Sequence, residues 1–182
     1  VNFVGHVIYP GIHSLHPFSN VLSGLIHAGG VDTTGSLRNI QLIRNGEIHT
    51  SIDMYEFFIN GKNVQNTKLR NGDVISVPLR KSWIEITNEV NRPGIYEAYK
   101  DETIYKMIEY ASGMTNRASS KVLISRIKPF ENRIAGEPIS NNFYLLYTEL
   151  KKTKAQNGDK INILKMLDET NEVEIIGQVK RP

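Results

Sequence analysis

The side chains most able to do chemistry are five histidines, two equivalently placed aspartates and a run of lysines. His13 and His16 stand three apart with His6 nearby, the raw material of a metal centre. A zinc site needs three or four ligands, and this turn-rich stretch offers no carboxylate at ligand spacing, so these read as surface histidines. Asp73 and Asp159 each follow a glycine, in Asn71-Gly72-Asp73 and Asn157-Gly158-Asp159. General acid–base work needs two carboxyls a few ångströms apart in different environments. Aspartates in tight turns instead bond their own backbone, and the turn role is expected for both. Gly29-Gly30 follows an apolar-periodic segment, where glycines stop a helix; a phosphate cradle would place them ahead of one. The chain has no cysteine, which removes thiolate catalysis, disulfides and thiolate metal sites together. No catalytic constellation, metal site or cofactor is expected: the chain reads as a non-enzyme.

Two groups remain for binding. Lys151, Lys152 and Lys154 form a basic run, to which Arg70, Arg80 and Lys81 can add. The bland account is a solvated loop; the sharper one is contact with an acidic sugar polymer, which salt would weaken. The formal charge is +3, with a balance of +2 on residues 1–82 and zero on 83–172. Nucleic-acid binders concentrate basic charge far more heavily, so nucleic acid is not an expected partner. Among the aromatics, Tyr9, Tyr96 and Tyr99 lie near Pro-Gly turns and could stack on a pyranose face, whereas Trp83 is expected to pack between two units.

The elements that must position these residues come in a repeat. Phe3-Val4-Gly5-His6-Val7-Ile8-Tyr9-Pro10-Gly11 returns 83 residues later as Ile86-Thr87-Asn88-Glu89-Val90-Asn91-Arg92-Pro93-Gly94. The pattern begins a third time at Ile175 and ends at Pro182. Phe3, Gly5 and Val7 share one face of a period-two strand, as do Ile86, Asn88 and Val90. Asn88 replaces a glycine, and asparagine tolerates positive φ, so a shared left-handed conformation is expected at positions 5 and 88. The Pro10-Gly11 and Pro93-Gly94 pairs suit turns into a second strand.

Two segments, Val21–Gly30 and Ile104–Gly113, repeat apolar residues at three and four and end in glycine. Each predicts a short amphipathic helix stopped at Gly30 or Gly113. Ser19 is the expected cap of the first, Asp101 or Thr103 of the second. Strands are expected at Ile40–Arg44 and Val122–Arg126, then a variable segment, then a closing strand after each Gly-Asp turn. Each unit is α+β, one main helix on a small mixed sheet, with boundaries at 1–82 and 83–172. Residues 173–182 are either the first strand of a third module or a C-terminal strand packed on the second, and the whole reads as a piece of a repeat array.

These motifs resemble the SLBB family, the soluble-ligand-binding β-grasp (ubiquitin-like) domains. The resemblance rests on Gly5 to Gly11, on Ala28-Gly29-Gly30, and on Leu69 to Pro78 with its Gly72-Asp73 turn. Asp53-Met54-Tyr55, running on to Gly61, is similar to a stretch common in the polysaccharide-export branch. In the second copy Leu145-Leu146-Tyr147-Thr148 echoes it only loosely, and no proline follows Ile163. The resemblance implies a periplasmic, ring-forming, outer-membrane-associated part of a capsule or exopolysaccharide exporter. Its implied partners are further copies of itself, the bacterial polysaccharide and an inner-membrane export component. The competing expectation, from related β-grasp domains, is a small-ligand receptor with a well-formed apolar pocket.

Overall fold

The computed structural model describes residues 1–62 and 67–166 of the chain. The first half contains β1 (Asn2–Gly5), β2 (Gly11–Ile12), α1 (Val21–His27), β3 (Ile40–Arg44), β4 (Glu47–Ile52), α2 (Tyr55–Phe58) and β5 (Val74–Val77). The second contains β6 (Ile84–Asn88), β7 (Gly94–Tyr96), α3 (Ile104–Tyr110), β8 (Ala118–Ile127), β9 (Ser140–Leu146) and β10 (Lys160–Lys165). Each half builds a five-stranded mixed sheet, in the orders β2-β1-β5-β3-β4 and β7-β6-β10-β8-β9. These orders superpose element for element. In both, the first strand runs parallel to the last and antiparallel to the second, as β1 does with β5 and β2, and β6 with β10 and β7. The chain is therefore α+β, two tandem β-grasp-like modules.

The apolar stripes do what their period requires. Phe3, Ile40, Leu42 and Ile75 are fully buried under α1, while Ile86, Ile124, Ile161 and Ile163 are buried with Ile104 and Met107 of α3. Full burial of such a side chain is worth about 1.5–3 kcal/mol. The second core also receives Tyr55, with Leu37 and Ile59 packed against it, all from the first half of the chain.

Local signals settle the helix ends. Gly29 and Gly30 have φ of 81° and 92°, and the Gly30 N–H reaches the Leu25 carbonyl at 2.8 Å, closing α1. Ser112 and Gly113 repeat this at the end of α3, with φ of 64° and 81°. Thr103 caps α3 through the Lys106 N–H. The cap of α1 is Asn20 rather than Ser19: its side chain accepts from the Ser23 N–H while Ser23 Oγ accepts from the Asn20 N–H. Ser19 is occupied one residue earlier, its carbonyl accepting from the Leu69 N–H.

Gly5 and Asn88 share the expected left-handed conformation, with φ of 83° and 68°. At Gly5 a methyl group would sit 2.2 Å from the Val77 carbonyl oxygen, so the first module has no room for a side chain there. Of the two Pro-Gly turns only the first needs positive φ, 124° at Gly11; Gly94 enters β7 without it. The variable segment holds more structure than expected: β4 and β9 each add an edge strand beside β3 and β8. Their alternation is masked in sequence by polar residues on the exposed edge. The third repeat start, residues 173–182, lies outside the described residues.

Candidate functional site

Each module closes with the same ion pair. Arg44 of β3 donates from Nε and Nη2 to the two carboxylate oxygens of Asp73, at 2.8 and 2.7 Å, and a further Nη2 bond reaches the Lys68 carbonyl. Arg126 of β8 repeats the arrangement on Asp159, at 2.8 Å twice, with its third bond to the Lys154 carbonyl. Both aspartates are buried, and each also accepts from the backbone at the start of its turn, from Arg70 N–H or Gln156 N–H. The Arg44 hydrogen bonds hold the Asp73 carboxyl below its ordinary pKa, against the opposing effect of burial. Each pair joins the middle of a sheet to the turn ahead of its central strand. In each module the carboxylate is occupied on its oxygens by the arginine fork and a backbone N–H of its own turn.

The most heavily built polar cluster lies where the modules meet. Arg38, in the loop before β3, is only 5% exposed. Its guanidinium donates to Glu102 at 2.5 Å, to Asp53 at 3.1 Å, to the Glu97 carbonyl at 3.1 Å and to the Tyr110 hydroxyl at 3.3 Å. Three aromatic rings surround it, with centroids 3.9 Å (Tyr99), 4.7 Å (Tyr55) and 5.1 Å (Tyr110) from Cζ. Arginine is suited to this place because its planar cation stacks and forks at once, which a lysine ammonium does not. Asp53 and Tyr55 belong to the first half of the chain; Glu97, Tyr99, Glu102 and Tyr110 belong to the second.

The surrounding bonds complete the junction. Ser36 Oγ donates to the Glu97 carboxylate at 2.9 Å and accepts from the Arg38 N–H. The Tyr55 hydroxyl accepts from the Glu97 N–H, and the Tyr99 hydroxyl donates to the Arg38 carbonyl. Burial pushes the Tyr55 phenol up to about 12, and burial with the Glu102 hydrogen bond raises Tyr110 further. Burial works against the Glu102 carboxylate too, yet the bonds from Arg38 and Tyr110 prevail and its pKa is lowered. Glu102 is thus ionised and both phenols are neutral at neutral pH, the combination that pairs Arg38 and leaves Tyr110 a donor.

The Asp53-Met54-Tyr55 stretch acquires a physical explanation here. Asp53 Oδ1 accepts from the Tyr55 N–H and so starts α2, while Oδ2 receives Arg38. Met54 is buried in the first core and Tyr55 in the second. Three consecutive residues tie one module to the next.

Other residues singled out in the sequence take different places. Trp83 is 42% exposed and belongs to neither core; the junction it was expected to fill is occupied by Tyr55, Tyr99 and Tyr110. The basic run is dispersed: Lys154 pairs with Asp101 at 2.6 Å, and Lys151 lies over the Tyr105 ring. Arg80 donates to the Thr33 carbonyl. Lys81 and Lys154 line one cleft beside the junction, whereas Lys151, Lys152 and Arg70 lie outside it. His6 faces Asp32 and Thr34, His13 packs against Phe3 and His27, and His16 accepts from the Phe18 N–H. Among the described residues no three acidic or imidazole side chains are grouped to hold a metal ion. Sequence reasoning missed Arg38, Arg44 and Arg126. The last two had a signal, since they occupy equivalent strand ends in the two copies; Arg38 has no counterpart to reveal it.

Fold and junction together define a class, tandem β-grasp modules coupled by a buried arginine. The chain matches the SLBB domain over residues 1–52 and 86–139, and it belongs to that family. Two curated relatives, each the polysialic acid transport protein KpsD of Escherichia coli, are 25% identical to it over 142 residues. That alignment covers 78% of this chain and 25% of each relative, so the chain spans about a quarter of their length. Among the described residues no helix is long and apolar enough to cross a membrane.

Proposed function

We propose that this chain is a tandem β-grasp segment of a polysaccharide-export protein of the bacterial envelope, with modules at residues 1–82 and 83–172. It acts without catalysis, in the periplasmic part of an outer-membrane-associated complex, as a stiff spacer within a homo-oligomeric ring. The polymer and an inner-membrane export component are its other partners. The observation that carries the reading is the Arg38 junction, which commits two carboxylates and three aromatic rings to fixing one module against the next. These groups are satisfied within the protein, as a joint between two modules requires. Similarity to a polysialic acid transport protein supports the same class of work. The 42% exposed Trp83, the edge strands β4 and β9 and exposed Tyr144 and Leu146 leave surface for neighbouring copies.

The test is deletion of this segment from the full-length protein in its own envelope. Surface polysaccharide, read with a glycan-specific lectin or antibody, and particle symmetry, read by electron microscopy of the purified complex, should both be lost. Normal export and an unchanged closed particle would overturn the proposal.

A further inference from the structure

Beside the Arg38 junction lies an open cleft of about 770 Å³, walled by both modules. That is within the roughly 300–1,000 Å³ typical of sites for small ligands. Its chemistry is uneven. Three lysines line it, Lys81, Lys100 and Lys154, together with Asn39, Gln156 and Asn157. Lys154 is already paired with Asp101, and the Lys100 charge also acts on that carboxylate, while among the described residues Lys81 makes no ion pair. The single carboxylate in the lining, Glu97, is 5% exposed, and both its oxygens accept from Ser36 Oγ at 2.9 Å. The cleft lining therefore carries more lysines than carboxylates, and its one carboxylate, Glu97, is turned into the protein.

The polar atoms are supplied in the form a sugar needs. The side chains of Asn39 and Gln156 have no hydrogen-bond partner among the described residues, so each offers an amide donor and acceptor to the cleft. Tyr99 contributes a half-exposed ring whose position is fixed: Arg38 covers one face at 3.9 Å, and its hydroxyl is bonded to the Arg38 carbonyl. A ring immobilised in this way can take a saccharide C–H face with little ordering cost. Leu79, Ala98 and Ala155 provide the apolar remainder.

We infer that this junction cleft is a binding site for a carboxylate-bearing oligosaccharide, with Lys81 and Lys100 taking the carboxylate, Asn39 and Gln156 the hydroxyls, and Tyr99 one sugar face. The inference deepens the export reading and rests on it for the source of the ligand. Nucleic acid fits less well, since the cleft has one aromatic platform and no run of cations to follow a phosphate backbone. The site would be complete only with both modules in register: Lys81 and Asn39 come from one, Lys100, Tyr99 and Gln156 from the other. Arg38 is then a positioning residue for the site as well as a lock.

The experiment is calorimetric titration of the protein with a sialic acid tetramer, a galacturonic acid tetramer and neutral maltotetraose, at low and high salt. Binding of the two acidic tetramers is expected, at least tenfold tighter than maltotetraose and weakened by salt. The double variant Lys81→Gln/Lys100→Gln should lose about tenfold in affinity for both acidic probes, the size expected of two exposed charge contacts. Lys152→Gln, outside the cleft, should change nothing. Equal binding of the neutral probe, no saturable binding of either acidic probe, or undiminished binding by the double variant would each overturn the inference. Export is scored separately with the full-length double variant. A protein that assembles and exports but does not bind refutes the cleft alone; a protein that binds, from a complex whose export survives deletion of the segment, refutes the export reading alone.

Discussion

Replacing Arg38 with methionine tests the junction most directly, because methionine keeps the unbranched stem and removes only the fork and its charge. The guanidinium holds two carboxylates, Glu102 at 2.5 Å and Asp53 at 3.1 Å. Removing one partner of a buried pair costs about 3–5 kcal/mol, since the other charge is left without compensation. The Glu102 and Asp53 side chains keep 17% and 21% exposure, so both can recover some hydration, and about 2–4 kcal/mol is the better figure. For a chain of this length about 1 kcal/mol moves the melting temperature by roughly 2–4 °C, so a cost near 3 kcal/mol gives about 6–12 °C. Scanning calorimetry should show that shift and a broadened or divided transition, as the two modules cease to unfold together. A double-mutant cycle with Glu102→Gln should return a coupling of about 1–3 kcal/mol. Arg80→Met, which removes one exposed bond to a carbonyl, should stay within about 0.5 kcal/mol of the parent. A cost below about 1 kcal/mol for Arg38→Met, with additive behaviour in the cycle, would refute the view that this cluster couples the modules.

Three further outcomes follow from the same geometry. Gly5→Ala should destabilise by about 3 kcal/mol in urea unfolding, because it adds left-handed strain to a contact 2.2 Å from the Val77 carbonyl oxygen; Asn88→Gly should be tolerated at the equivalent position. A Gly5→Ala cost under about 1 kcal/mol would show that the close approach relaxes freely. Tyr55→Phe leaves the buried Glu97 N–H without its acceptor and should cost about 1–3 kcal/mol while the fold, followed by circular dichroism, is retained. Acid should destabilise the protein in a defined window. The folded pKa values of Asp73 and Glu102 lie below their ordinary 3.8 and 4.5, so their contribution is fully present above about pH 5 and is lost as pH falls through the folded values. Urea midpoints should be level from pH 7 to 5 and drop below about 4.5, with a shallower drop in Arg38→Met; a level midpoint down to pH 3 would contradict the pairing.

The sequence by itself determined what depends on near neighbours. Period-two stripes place Phe3 and Ile86 in their cores, and paired left-handed residues end α1 and α3. Residues 5 and 88 carry positive φ because both glycine and asparagine accept it. These effects act over a few residues and leave a mark in each copy, so the repeat made them legible. Tertiary structure alone decided the partners of the charges. Arg38 meets Glu102 across 64 residues and Arg44 meets Asp73 across 29, separations at which no local preference links the two side chains. Lys81 and Lys100 share a cleft only because the junction brings their loops together, while Lys151 and Lys152, adjacent in the basic run to Lys154, fall outside it. A charge is stabilised by whatever opposite charge and donors the fold carries to it, and that is settled by how the modules pack rather than by spacing along the chain.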